Sequence, residues 1–159
     1  MKKTLIIGYG NIDRQDDGLA WHILLKTARH YGFAEFEFNQ EHFTSEEYPH
    51  LMFDLQLAPE MSEIVRKYDQ VLFVDAHTGA IADEISWIAV TPEYKPSAFT
   101  HHMSPETVLS LAHTIYSAVP ETQLLSVRGY NFGFGNDLSA RAEELAQQAS
   151  DKIIQWLSL

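Results

Sequence analysis

The stretch Gly8-Tyr9-Gly10-Asn11-Ile12-Asp13-Arg14-Gln15-Asp16-Asp17-Gly18 constrains the fold more than any other part of the chain. A short apolar run, Thr4-Leu5-Ile6-Ile7, stands directly before it and has the length of a buried strand. A helical pattern begins near Leu19, directly after it. A strand that stops in a glycine-bearing loop and resumes as a helix is the opening of an α/β sheet. That loop delivers two adjacent carboxylates, Asp16 and Asp17, to a helix N-terminus. In open α/β sheets ligands bind in the crevice beyond the carboxyl ends of the strands. The active site is expected there.

The rest of the chain continues the alternation. The first strand covers Thr4 to Gly8, and the first helix covers Asp17 to Tyr31, with Leu19, Ala20, Ile23, Leu24 and Ala28 at helical spacing. Gly32 suits the position just past its last turn. Ala34 to Phe38 alternates apolar and acidic residues and reads as a half-exposed strand. Asn39 to Gln56 is polar with aromatic islands, and a loop or short extra strand is expected around Leu51 to Leu57. A helix from Pro59 to about Tyr68 leads to a buried strand, Gln70 to Asp75, apolar until it ends in a carboxylate. Glu84 to Val90 is a further strand, expected to be antiparallel because no helix separates it from the one before. Ser104-Pro105-Glu106 combines a cap residue, proline at the first helical position and an acid in the first turn. That helix runs to about Ser117, a strand follows over Gln123 to Val127, and a last helix runs from Ser139 to about Leu157. This order predicts one three-layer α/β domain over residues 1–159. Its twisted, mostly parallel sheet would have about five strands and helices on both faces.

Composition narrows the function. The 159 residues suffice for one sizeable core, and 45% are hydrophobic. No apolar run approaches the roughly 20 residues that span a bilayer, and the N-terminal run is too short for a signal peptide. The expected location is the cytoplasm. The absence of cysteine rules out disulfides and thiolate chemistry. A net charge of −11 repels nucleic acid and anionic membrane, so neither is an expected partner. The same charge is compatible with a cationic or metal-bearing partner, or with solubility alone.

Three features carry candidate chemistry. Gly8-x-Gly10 has the start of a dinucleotide fingerprint, but Asp13 stands where the third glycine belongs. A pyrophosphate would meet Asp13, Asp16 and Asp17, so no nucleotide is expected. The glycines instead let the loop turn tightly and let a substrate backbone approach. Asp16 and Asp17 could simply complement the helix dipole. Asp75 closes another strand at the same sheet edge, and a carboxylate there is costly to bury unless paired or bound to a cation. Thr100-His101-His102-Met103 lies just before the Ser104-Pro105 helix start. Two carboxylates and an imidazole at element ends make a plausible three-donor site, with donors suited to zinc or nickel. His77, two residues after Asp75, either joins that site or lines it; the remaining histidines read as surface or packing residues.

With these residues in place the chain resembles the hydrogenase maturation endopeptidases. The likeness rests on Gly8-Tyr9-Gly10-Asn11 followed by Asp16-Asp17-Gly18, on Phe73-Val74-Asp75-Ala76, and on the His101 loop. It extends to Gln56-Leu57-Ala58-Pro59-Glu60-Met61, His101-His102-Met103-Ser104-Pro105-Glu106 and Gly133-Phe134-Gly135-Asn136-Asp137-Leu138-Ser139. The resemblance implies one α/β domain that removes a C-terminal peptide from the large-subunit precursor of a nickel-iron hydrogenase after nickel insertion. It implies Asp17, Asp75 and His101, with His102 close behind, as the catalytic, metal-contacting residues. Gly8, Gly10, Asn11, Asp16 and His77 are the expected substrate-binding residues around them. The metal would be nickel carried by the substrate, with another divalent cation as a stand-in in vitro. Two other readings stay open: a metal-dependent hydrolase of another small amide or peptide, and a non-catalytic module that checks metal loading.

Overall fold

The computed structural model describes residues 2–33, 43–44, 48–93 and 103–159. The expected strand Ala34 to Phe38 and the pair His101-His102 lie outside the described residues. Among the described residues six strands form one sheet. They are β1 (Thr4–Tyr9), β2 (Phe43–Thr44), β3 (His50–Asp54), β4 (Gln70–His77), β5 (Ile85–Val90) and β6 (Glu121–Arg128). Their spatial order is β2-β3-β1-β4-β6-β5. The four inner strands are parallel, and β2 and β5 close the two edges antiparallel. The antiparallel β5 is as the sequence predicts. The mostly parallel sheet is as expected, and the ambiguous stretch after Asn39 supplies two of its strands, one of them, β3, close to the short extra strand expected around Leu51 to Leu57. Of these, β3 is an inner strand, with Leu51, Met52 and Phe53 buried.

Helices α1 (Leu19–His30) and α4 (Ala140–Leu157) cover one face, while α2 (Met61–Val65) and α3 (Pro105–Tyr116) cover the other. Strand alternation decides which residue meets which layer. Ile6, Leu72, Val74 and Leu125 pack under α1 and α4, whereas Leu5, Ile7, Val71 and Phe73 pack under α2 and α3. The predicted cap at Ser104 forms, and Ser139 caps the last helix in the same way. The Ser104 hydroxyl accepts from the Thr107 N–H at 3.2 Å, and the Ser139 hydroxyl accepts from the Ala142 N–H at 3.3 Å. Each removes one of the orphan donors of a helix start. Among the described residues, no helix is long and apolar enough to cross a membrane.

Gly8 is buried at the point where β1 meets α1. A Cβ there would strike the Leu24 side chain, so the glycine lets helix and strand touch. Substrate approach was the sequence-based reason for this glycine, and packing replaces it. Gly10 does serve the loop: its φ is +145°, and a Cβ would strike the Asp17 carbonyl oxygen.

Candidate active site

The loop after β1 closes with a 3-10 turn, Gln15–Gly18, that runs directly into α1. Its two acids point opposite ways. Asp16 is fully buried. Its Oδ2 accepts from the Tyr130 N–H at 2.8 Å, the Asn131 N–H at 2.9 Å and the Ser139 hydroxyl at 2.6 Å; its Oδ1 accepts from the Ser139 N–H at 2.8 Å. Burial alone would push this carboxyl up. The Ser139 hydroxyl and three backbone N–H groups outweigh burial and hold it below the usual carboxylate range. Asp16 therefore ties the first loop to the segment entering α4. It has no surface left for a substrate, which corrects its expected substrate-binding role.

The stitching between these two loops goes further. Gln15 N–H donates to the Gly135 carbonyl at 2.8 Å, and Gly135 N–H donates to the Asp13 carbonyl at 2.9 Å. The Asn136 amide donates to the Ile12 carbonyl and to Asp13 Oδ1. Asn11 has an internal job too. Its side-chain oxygen accepts from the Asp13 N–H at 2.9 Å, and its own N–H donates to Asp17 Oδ2 at 3.0 Å. Gly133 to Ser139 is thus the buttress of the first motif, which explains why the two motifs belong together.

Asp17, the neighbour of Asp16, faces a cavity of about 520 Å³ at the carboxyl ends of β1 and β4. Tyr9, Gly10, Asp75 and Ala76 line its floor, Leu55, Gln56 and Leu57 one wall, and Met103, Ser104 and Pro105 the entry to α3. The first loop contributes Gly10 and Asp17 and the end of β4 contributes Asp75, two carboxylates distant in sequence. The register pairs Gly8 with Val74, so Tyr9 and Asp75 are neighbours on the face toward α2 and α3. The Tyr9 hydroxyl donates a hydrogen bond to the Asp75 carboxylate.

Asp75 is pushed up to about 7. Burial is the main cause; the Tyr9 and Ala76 hydrogen bonds oppose it, and the nearby negative charge of Asp17 adds to it. Tyr9 is held well above its ordinary value by burial and by Asp75, so it stays a phenol and a donor. The cavity thus holds two carboxylates, one of them short of compensating charge. A cation between them would relieve both burial and repulsion. Among the described residues no three His, Asp or Glu side chains form a group that could hold a metal ion. A third donor would have to come from elsewhere, and His101 and His102 lie outside the described residues.

His77 is not in this site. It is buried, its Nδ1 accepts from the Gly79 N–H at 3.1 Å, and its Nε2–H donates to the Asp83 carbonyl at 3.0 Å. Both ring nitrogens hold the turn between β4 and β5, so neither is free to line the site. The structure brings Asp17, Asp75 and Gly10 together and leaves Gly8, Asn11, Asp16 and His77 outside the cavity. Sequence reasoning missed Tyr9, although alternation from Ile7 and the strand-ending position of Asp75 could have put both on one face.

No protein-family model matches the chain, and no curated protein matches it by sequence. Solved structures do match. A [NiFe] hydrogenase maturation protease, HycI, from Thermococcus kodakarensis is 18% identical, with TM-score 0.65 over 99% of this chain and 94% of that one. The hydrogenase maturating endopeptidase HybD from E. coli is 17% identical, with TM-score 0.66 over 98% and 92%. A hydrogenase 2 maturation peptidase from a Thaumarchaeota archaeon is 15% identical, with TM-score 0.60 over 98% of each chain. At these identities the likeness establishes a shared fold along nearly the whole chain.

Proposed function

We propose that this chain is an endopeptidase that removes a C-terminal peptide from the nickel-loaded large-subunit precursor of a nickel-iron hydrogenase. One observation carries the reading: Asp17 and Asp75 share one cavity at the carboxyl end of the sheet, with Asp75 lacking a charge partner. The fold shared with proteins named hydrogenase maturation proteases supports the choice of substrate. In this reading nickel arrives as part of the substrate. Asp17 and Asp75 bind it together with a histidine, His101 or His102, from the segment just before cavity-lining Met103. A precursor without metal would leave the two carboxylates facing each other, which disfavours the complex. Bound nickel polarises the scissile carbonyl or activates water. The chain's own part is to orient Asp75 through Tyr9, to hold Asp17 through the Asn11 N–H, and to present the cavity.

The Asp75 value of about 7 also favours a second reading, in which the two aspartates share a proton as an acid–base pair without metal. One experiment separates them. Precursor is loaded with nickel or stripped of metal, mixed with the protein, and weighed by mass spectrometry. Loss of the C-terminal peptide only from the loaded form supports metal recognition. Cleavage of both forms supports the proton-sharing pair, and an unchanged mass in both with a stable complex leaves a loading checkpoint.

A further inference from the structure

We infer that Arg128 is a carboxylate-binding residue that holds an anionic group of the peptide past the cavity, at the end of β6. The identity of the peptide rests on the reading above; the anion site does not. Arg128 ends β6 and is the register partner of His77, while Asp75 is the partner of Ser126. The Arg128 backbone therefore lies one strand across from Asp75 and two residues beyond its level on the same face, about 7 Å farther along the strand and outside the residues that line the cavity.

Its guanidinium is boxed in by other groups yet makes no hydrogen bond among the described residues. The group lies against Gly79, whose φ is +109° and where any Cβ would strike Nη1. Its other face stacks on the Tyr130 ring, with 4.8 Å from Cζ to the ring centroid. Nε is buried and has no hydrogen-bond partner among the described residues. Buried donors of a charged group are nearly always satisfied, so an orphan there asks for a ligand. The obvious internal partner is already taken. Glu84 accepts from Arg141 Nη2 at 2.6 Å and Nε at 2.9 Å, and from the Tyr130 hydroxyl at 2.5 Å; Arg128 acts on it through space, as one of the charges that hold its carboxyl low, and donates no hydrogen bond to it. Among the described residues Arg128 forms no ion pair, in a protein whose net charge is −11. The residue is only half-buried, so its outer nitrogens keep an open edge.

A planar guanidinium with an open edge fits a carboxylate in two-pronged fashion. A chain extends by at most about 3.5 Å per residue, so that carboxylate sits within about two or three residues of the bond held at Asp75. It is either an acidic side chain of the departing peptide or the free C-terminal carboxylate.

Two measurements test this. The first needs no activity. In an ¹⁵N spectrum of the intact protein, the Arg128 Nε–H resonance, assigned with Arg128→Gln, is followed during titration with sodium acetate and, separately, sodium chloride. A saturable shift with acetate alone is expected; no shift, or an equal one with chloride, overturns the site. The second is kinetic. Arg128→Gln should raise KM for nickel-loaded precursor by about tenfold and leave kcat nearly unchanged, with Arg128→Lys in between. Precursor whose extension has its acids changed to amides should lose the wild-type advantage if a side chain is bound. Precursor lengthened by neutral residues should lose it if the terminal carboxylate is bound. An Arg128→Gln protein with wild-type KM on all three substrates overturns the inference. If wild-type protein cuts none of them, the peptidase reading fails and the acetate titration alone decides Arg128.

Discussion

Two carboxylates of the same residue type meet opposite fates at the two ends of this site. Asp16, sealed under the first loop, is met by four donors and held ionised. Asp75, at the end of β4, is met by one phenol and one backbone N–H, faces the charge of Asp17, and is pushed up to about 7. Burial acts on both in the same direction; the number of donors decides the outcome. The satisfied acid holds the architecture together, and the unsatisfied one is where a ligand gains most by binding.

The comparison is broken most severely by removing charge at the cavity. Asp17→Asn and Asp75→Asn should each cut precursor processing by about 1000-fold or more. Circular dichroism and unfolding midpoints should show an intact fold in both. Full processing by both variants would remove the cavity from the mechanism.

The mirror experiment targets the sealed acid. Asp16→Asn turns one oxygen into a donor that faces the donors of Ser139, Tyr130 and Asn131. Hydrogen bonds to a charged group are each worth about 1.5–3 kcal/mol, so the loss should be roughly 2–4 kcal/mol in denaturant unfolding at pH 7. An Asp16→Asn protein as stable as wild type would mean that the two loops are held by something else.

Much of the fold around this division is legible in the amino-acid sequence. Three of the four parallel strands, β1, β4 and β6, the Ser104-capped helix and the antiparallel β5 follow from apolar runs and cap residues that act locally. Asp17 and Asp75 were legible as a pair because both stand at strand ends on one sheet edge. The division of labour between Asp16 and Asp17 was not, since adjacent acids look alike and only the distant Ser139 and Tyr130 N–H groups separate them. His77 misled for the same reason: its two partners, Gly79 and Asp83, belong to a turn with no pattern of its own. The inner position of β3 was hidden because its pairing with β1 is set by tertiary contact rather than by a local signal.

The two acids should also pull stability in opposite directions as pH changes. Asp16 has a folded value below its unfolded one, so its contribution is present above about pH 4 and is lost as pH falls through the folded value. Asp75 has a folded value near 7 against an unfolded one near 4, so the folded state favours its protonated form. Stability should therefore decline as pH rises from about 4 to 7 on account of Asp75, by roughly 1–3 kcal/mol once its partial exposure is discounted. Asp75→Asn should match wild type near pH 4 and exceed it by that amount above pH 7. Equal stability at both pH values would show that Asp75 titrates alike folded and unfolded.

The smallest effect sharpens the sealed end. Ser139→Ala removes one hydroxyl that both donates to Asp16 and accepts from the Ala142 N–H at the start of α4. The backbone N–H of Ser139 and the other two donors to Asp16 remain, so the carboxylate stays ionised and satisfied. The loss should be close to that of an ordinary cap, about 1 kcal/mol at pH 7. Because Asp16 would then be held by fewer donors, its folded value should climb toward the unfolded one, and acid unfolding of Ser139→Ala should begin at a higher pH than in wild type. Processing should be unchanged, because neither function of that hydroxyl reaches the cavity. An acid-unfolding curve that superimposes on wild type would show that the three backbone donors alone set the state of Asp16.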